Sequence, residues 1–177
     1  MNQERDNALP LEWRVDVSDL PEDVLEIQYS ADVEACQKLA RHADIVAVES
    51  LAAQGEIRSE GDTIRVRLNL LAKLTQKCVV TLESVTSQIR ESIERRYVRV
   101  TDLPEPPHGA VELRLTDEDP PETMEGPELD LGSVLTEEFV LALNPYPRAP
   151  GVEPVEVIES GPEISPFAVL QKLKSPK

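Results

Sequence analysis

The sequence predicts an α+β fold: a mostly antiparallel sheet, about three helices packed on it, and one long loop rich in proline and acid. Three observations carry this. From Thr63 to Leu74, Ile64, Val66, Leu68 and Leu70 alternate with Arg65, Arg67 and Asn69, the period of a strand buried on one face. Leu129 to Leu143 repeats apolar residues at helical spacing. Between Asp102 and Asp130 the composition turns abruptly to proline and carboxylates, which cannot build a core.

The elements follow in order. Leu11 to Val17 alternates as a first strand and ends at the turn signal Ser18-Asp19-Leu20-Pro21. Leu25, Ile27 and Tyr29 make a second. Ser30 then caps a helix through Ala31 to His42, in which Val33, Cys36, Leu39 and Ala40 form the apolar stripe. Ile45 to Val48 and Leu51 to Ile57 read as two short strands, closing at Gly61-Asp62. After the long Thr63–Leu74 strand, Cys78 to Val85 reads as its antiparallel partner. Gln88 to Val100 fits either a helix or a strand, and its β-branched end favours strand.

The region 102–130 reads as an exposed loop around one strand at Val111, Leu113 and Leu115. In the helix of Leu129 to Leu143, Val134, Leu135, Phe139, Leu141 and Ala142 cover a broad face, with Asp130 or Ser133 as cap. Pro145 and Pro147 stop it. Residues 145–177 form an extended tail with a short helix, Phe167 to Leu173, opened by Pro166. One domain accommodates the 177 residues.

Hydrophobic residues reach 40% but aromatics only 3%, so the core is aliphatic, with Trp13, Phe139 and Phe167 as isolated large pieces. The first ten residues show no export signal, and nowhere do about 18 apolar residues run together. A soluble, cytoplasmic protein with Cys36 and Cys78 reduced is expected. The net charge of −16, from 34 acidic and 18 basic residues, repels nucleic acid at long range and attracts basic partners.

No nucleotide-binding or nucleophile motif is present, and His42 and His108 lie far from either cysteine. No catalytic residue, cofactor, metal, membrane or small-molecule substrate is expected. Two charged features remain. Arg65 and Arg67 share one strand face, and with Arg90 and Arg96 they form a candidate RNA-contact face. The alternative is that these arginines pair with Glu60, Asp62, Glu91, Glu94 and the acidic loop. The acid excess favours pairing, as does the shortage of stacking aromatics, Tyr97 alone qualifying. The second feature is the run Asp117, Glu118, Asp119, Glu122, Glu125 and Glu128, a candidate surface for a basic partner.

Several segments resemble one family in order along the chain. Gln76-Lys77-Cys78-Val79-Val80-Thr81-Leu82-Glu83 is similar to a cysteine-bearing strand ending in Leu-Glu. Leu129-Asp130-Leu131-Gly132, followed by Glu137-Glu138-Phe139 and on to Pro145-Tyr146-Pro147, resembles an Asp-Leu-Gly helix start with an acidic-apolar helix ending at prolines. Pro166-Phe167-Ala168-Val169-Leu170 is similar to a closing helix. The family is YceD, the large ribosomal RNA subunit accumulation proteins, with signature positions here at Cys78, Leu82, Glu83, Asp130, Leu131, Gly132, Glu138, Pro145, Pro147 and Phe167.

The resemblance implies a non-enzymatic role in large-subunit ribosomal RNA synthesis, processing or accumulation. Its partner would be a basic ribosomal protein or a pre-ribosomal particle, with at most weak or indirect RNA contact. Many members of the family carry C-x-x-C at the strand and a later cysteine pair, a zinc-like set. Here Thr81 takes the second position, while Pro147, Arg148 and Gly151 fill the later region, so no metal is expected.

Overall fold

The computed structural model describes residues 9–21, 24–99 and 120–152. Its centre is a five-stranded sheet in the order β2-β3-β4-β5-β6, namely Leu25–Ser30, Ala47–Glu60, Thr63–Lys77, Ser84–Arg99 and Glu122–Met124. A second, two-stranded ribbon pairs β1 (Arg14–Asp16) with β7 (Glu128–Asp130). Helix α1 spans Val33–His42 and α2 spans Leu131–Leu141. The α+β class holds, with two corrections. The sheet is mixed rather than mostly antiparallel, because β6 returns parallel to the end of β5 at Tyr97, Val98 and Arg99. Two helices, not about three, occur among the described residues, and the expected helix at Phe167 lies outside them.

The alternation of β4 decides which face is covered. Ile64, Val66, Leu68, Leu70, Ala72 and Leu74 are all buried. They pack with Leu39 of α1, Leu131, Leu135 and Phe139 of α2, and Leu11 and Leu129 beside the ribbon. Trp13 is not isolated: its ring stacks on Tyr29 at 5.2 Å between centroids. Helices and ribbon thus cover the inner face, burying apolar area at roughly 25 cal/mol per Å².

Several local expectations change, each for a physical reason. Asp32 rather than Ser30 caps α1, its carboxylate accepting from Ala35 N at 2.8 Å; Ser30 is still paired with Ala52 in the sheet. The two short strands expected between residues 45 and 57 are one strand, β3. Its register jumps between Val48 and Ser50, a bulge that leaves Glu49 outside the ladder and bends the strand. Cys78 to Glu83 is a turn, not a strand, and the partner of β4 is β5, so Gln88 to Arg99 is extended. Asp130 caps α2, accepting from Ser133 N at 3.0 Å. Leu141 is exposed rather than part of the buried face, because two residues turn a helix by about 200° away from Phe139. The expected strand at Val111, Leu113 and Leu115 lies outside the described residues. Among the described residues no helix is long and apolar enough to cross a membrane.

Candidate functional site

No layer of described residues covers the outer face of the sheet, and its rows follow from the register. One row is neutral: Gln28, Gln54, Asn69 and Ser92 stand side by side across β2, β3, β4 and β5. Toward the β3–β4 turn come Glu26, Glu56, Arg67 and Glu94, then Arg58, Arg65 and Arg96. Toward the other end come Ser30, Ala52, Leu71 and Arg90, then Ser50, Lys73 and Gln88, and finally Lys77 opposite Ser84. Two adjoining hollows of about 960 and 640 Å³ sit on this face and share Gln28, Gln54 and Asn69.

The four arginines singled out in the sequence do share this face, but their electrostatics differ. Arg65 reaches Glu60 at 3.0 Å and Glu94 at 3.7 Å. Arg67 lies 3.2 Å from Glu94 and 3.9 Å from Glu56. Arg96 is engaged as well. Arg90 is exposed and has no acid partner among the described residues. The same holds for Lys73 and Lys77. These two lysines were absent from the candidate face read from the sequence. Their signal was available, since odd numbers from 63 to 77 all point outward once 65 and 67 do.

The acidic candidates are dispersed. Glu122 begins β6 and meets Arg95 at 3.6 Å, and Glu128 sits in β7, 3.6 Å from Arg14. Glu125 is exposed between those strands. Two of the six acids expected in a free loop are therefore structural, because the segment from Glu122 onward is recruited as strand. Asp117, Glu118 and Asp119 lie outside the described residues.

At the end of β4 the signature residues build a compact tip. The fully buried Cys78 holds its Sγ 3.4 Å from the backbone N–H of Val80, Thr81 and Ala149. Val79 N also donates to Pro147 O at 2.9 Å, which joins this turn to the segment after α2. Val80 and Leu82 flank the turn but are exposed. Hydrogen bonding by Thr81 above all lowers the Cys78 thiol to about 6, aided by the N–H of Ala149 and Val80 and opposed by desolvation. Burial pushes the Cys36 thiol the other way.

The donor set does not fit a zinc ion. One sulfur is present, Thr81 Oγ1 turns to Glu83 at 3.2 Å, and Pro147 offers only a carbonyl already in use. Among the described residues no group of three or more His, Cys, Asp or Glu is placed to hold a metal. Hydrogen bonds to one sulfur bind the two segments that a tetrahedral site would need four ligands to join.

Two further signature residues, Gly132 and Glu138, make structural contacts. Gly132 sits so close to the backbone of Leu11 and Trp13 that a Cβ would collide with the Leu11 carbonyl, and its N–H donates to Trp13 O at 3.0 Å. Glu138 accepts from Arg95 at 2.6 Å. Phe167 lies outside the described residues. Comparison with known proteins adds one finding. The family model of the large ribosomal RNA subunit accumulation protein YceD matches residues 66–174, a stretch that includes most of β4, all of β5, the Cys78 tip and α2. No curated protein and no solved structure gives a significant match. The match spans more than half of the chain, and the chain belongs to the YceD family.

Proposed function

We propose that this protein supports the accumulation of large-subunit ribosomal RNA as a non-catalytic, cytoplasmic factor that docks on a pre-ribosomal particle. The observation that carries this reading is the family match over residues 66–174. The outer face suits docking better than chemistry. It is broad and shallow, and its arginines Arg65 and Arg67 are held by neighbouring carboxylates rather than poised around a substrate. No cofactor or small-molecule substrate is invoked.

The test is sedimentation of a lysate on a sucrose gradient, probing for this protein and for large-subunit RNA precursors, with and without the gene. Comigration with immature large subunits, and precursor levels altered by deletion, is the expected result. Protein confined to the top of the gradient with unchanged precursors would sink the proposal. The −16 net charge favours a basic ribosomal protein as one contact within that particle. Neutralising Asp117, Glu118, Asp119 and Glu125 to Asn or Gln, which leaves strands β6 and β7 in place, tests this contact, and the expected outcome is loss of a salt-sensitive protein partner.

A further inference from the structure

We infer that the end of the outer sheet face bearing Lys73, Lys77 and Arg90 contacts the phosphate backbone of large-subunit ribosomal RNA. This deepens the docking reading above and rests on it. The chain carries 34 acids against 18 bases, yet the outer face reverses the balance. Arg58, Arg65, Arg67, Lys73, Lys77, Arg90 and Arg96 stand there with Glu26, Glu56, Glu60 and Glu94 of the ladder and with Glu49 of the bulge, which reaches Thr75, seven cations against five carboxylates. Glu56, Glu60 and Glu94 gather around Arg58, Arg65 and Arg67, whereas Glu49 accepts from the hydroxyl of Thr75, between Lys73 and Lys77 on β4, at 2.6 Å.

Lys73, Lys77 and Arg90 are left exposed and without acid partners among the described residues. A positive end on a strongly negative body orients the protein toward an anion and turns the acidic remainder away from it.

The surroundings specify the kind of anion. Lys73 and Arg90 are diagonal neighbours across β4 and β5, about 7–8 Å apart at Cα, and Lys77 lies four residues further along β4. This makes an array of charges rather than one enclosed anion site. Beside it Gln28, Gln54, Asn69 and Ser92 present neutral donors and acceptors suited to sugar hydroxyls and phosphates. Ala52 and the half-exposed Leu71 stand between the two. No aromatic side chain stands in these outward rows, which rules out base stacking as the main contact there. The contact is therefore to the sugar-phosphate backbone of folded RNA, independent of sequence.

The test uses the full chain and a fluorescently labelled transcript of large-subunit ribosomal RNA, titrated at several salt concentrations. The triple variant Lys73→Gln, Lys77→Gln, Arg90→Gln alters only exposed side chains. Its affinity is expected to fall at least tenfold, and its log–log salt slope by about 2–3. Lys38→Gln, on α1 and paired with Glu34 at 3.0 Å, is expected to bind as the parent does. Unchanged binding by the triple variant, or an equal loss with Lys38→Gln, overturns the inference. Sedimentation separates the two readings. Parent protein absent from immature subunits defeats the docking reading itself. Parent and triple variant both present in equal amount defeat only the RNA contact and point to a protein partner on this face.

Discussion

Arg95 Nη2 donates to Glu138 Oε1 at 2.6 Å, and this bond ties β5 to the middle of α2. Arg95 has the parity of the inner face: it stands opposite Val66 and extends from the aliphatic core to the acids of α2 and β6. Glu122 at 3.6 Å and Glu137 at 3.7 Å complete its surroundings. One cation thus holds the parallel strand β6 and the helix against the same edge of the sheet.

Removing either partner of this half-buried pair leaves a charge facing apolar surface. Arg95→Met is expected to lower stability by about 2–3 kcal/mol, with a coupling to Glu138→Gln of about 1–2 kcal/mol. Urea unfolding of the two single variants and the double variant measures both. A coupling near zero would mean that the contact is only a surface pair.

Two glycines are held by close approach rather than by turn geometry. A Cβ on Gly132 collides with the Leu11 carbonyl, and one on Gly55 collides with the Arg67 carbonyl across β3 and β4. In each case the obstacle is backbone, which cannot rotate aside. Gly132→Ala and Gly55→Ala are each expected to cost at least about 2 kcal/mol, read as a fall in the thermal midpoint. Gly61→Ala meets open space. Its cost comes only from a φ of 64°, about 1 kcal/mol.

Leu82 occupies the left-handed region at φ 62° and is 72% exposed. Its side chain gives little burial in return for that conformation. Leu82→Gly is expected to raise stability by about 0.5–1 kcal/mol, less the extra chain entropy of glycine, as a higher urea midpoint. A loss instead would show that the exposed leucine packs on the tip more than its exposure indicates.

Cys78 makes stability depend on pH, and the sign follows from its lowered value. A folded thiol at about 6 against an ordinary value of 9.0 means that the thiolate is favoured in the folded state. Its stabilisation is complete above the unfolded value and is lost as pH falls toward 6. Between pH 8.5 and 6 the parent is expected to lose more stability than Cys78→Ser, compared by urea midpoints at each pH. Parallel curves would contradict a thiolate at the tip. Ultraviolet absorbance of the thiolate gives an independent midpoint, expected near 6.

Much of the fold was legible because it rests on local periods. The outward parity of Arg65 and Arg67 and the inward parity of Ile64 to Leu74 are properties of an extended chain. The cap at Asp130 and the stop after α2 are equally local. The Ser30 cap failed because Ser30 is claimed by the ladder with Ala52. The Cys78 strand failed because β-propensity yielded to a turn closed by Cys78 N to Glu83 O at 2.8 Å. The placement of Glu122 and Glu128 was hidden for a similar reason. A carboxylate in a proline-rich run looks the same whether it stays in a loop or enters a strand.

By itself the sequence determined the α+β class, the family, the amphipathic strand β4 and the set of arginines that share its outer side, since each depends on residues a few positions apart. Only the tertiary structure decided which cations are neutralised. Register sets Glu94 beside Arg67, and the β3–β4 turn brings Glu60 to Arg65, while Lys73, Lys77 and Arg90 make no salt bridge among the described residues. It also decided that β6 runs parallel to β5 and that Cys78 is buried against Ala149. Apart from Glu60 and Arg65, five positions apart across the turn, these contacts join residues 25 to 71 positions apart, and Coulomb and hydrogen-bond energies depend on distances in space that no local pattern encodes.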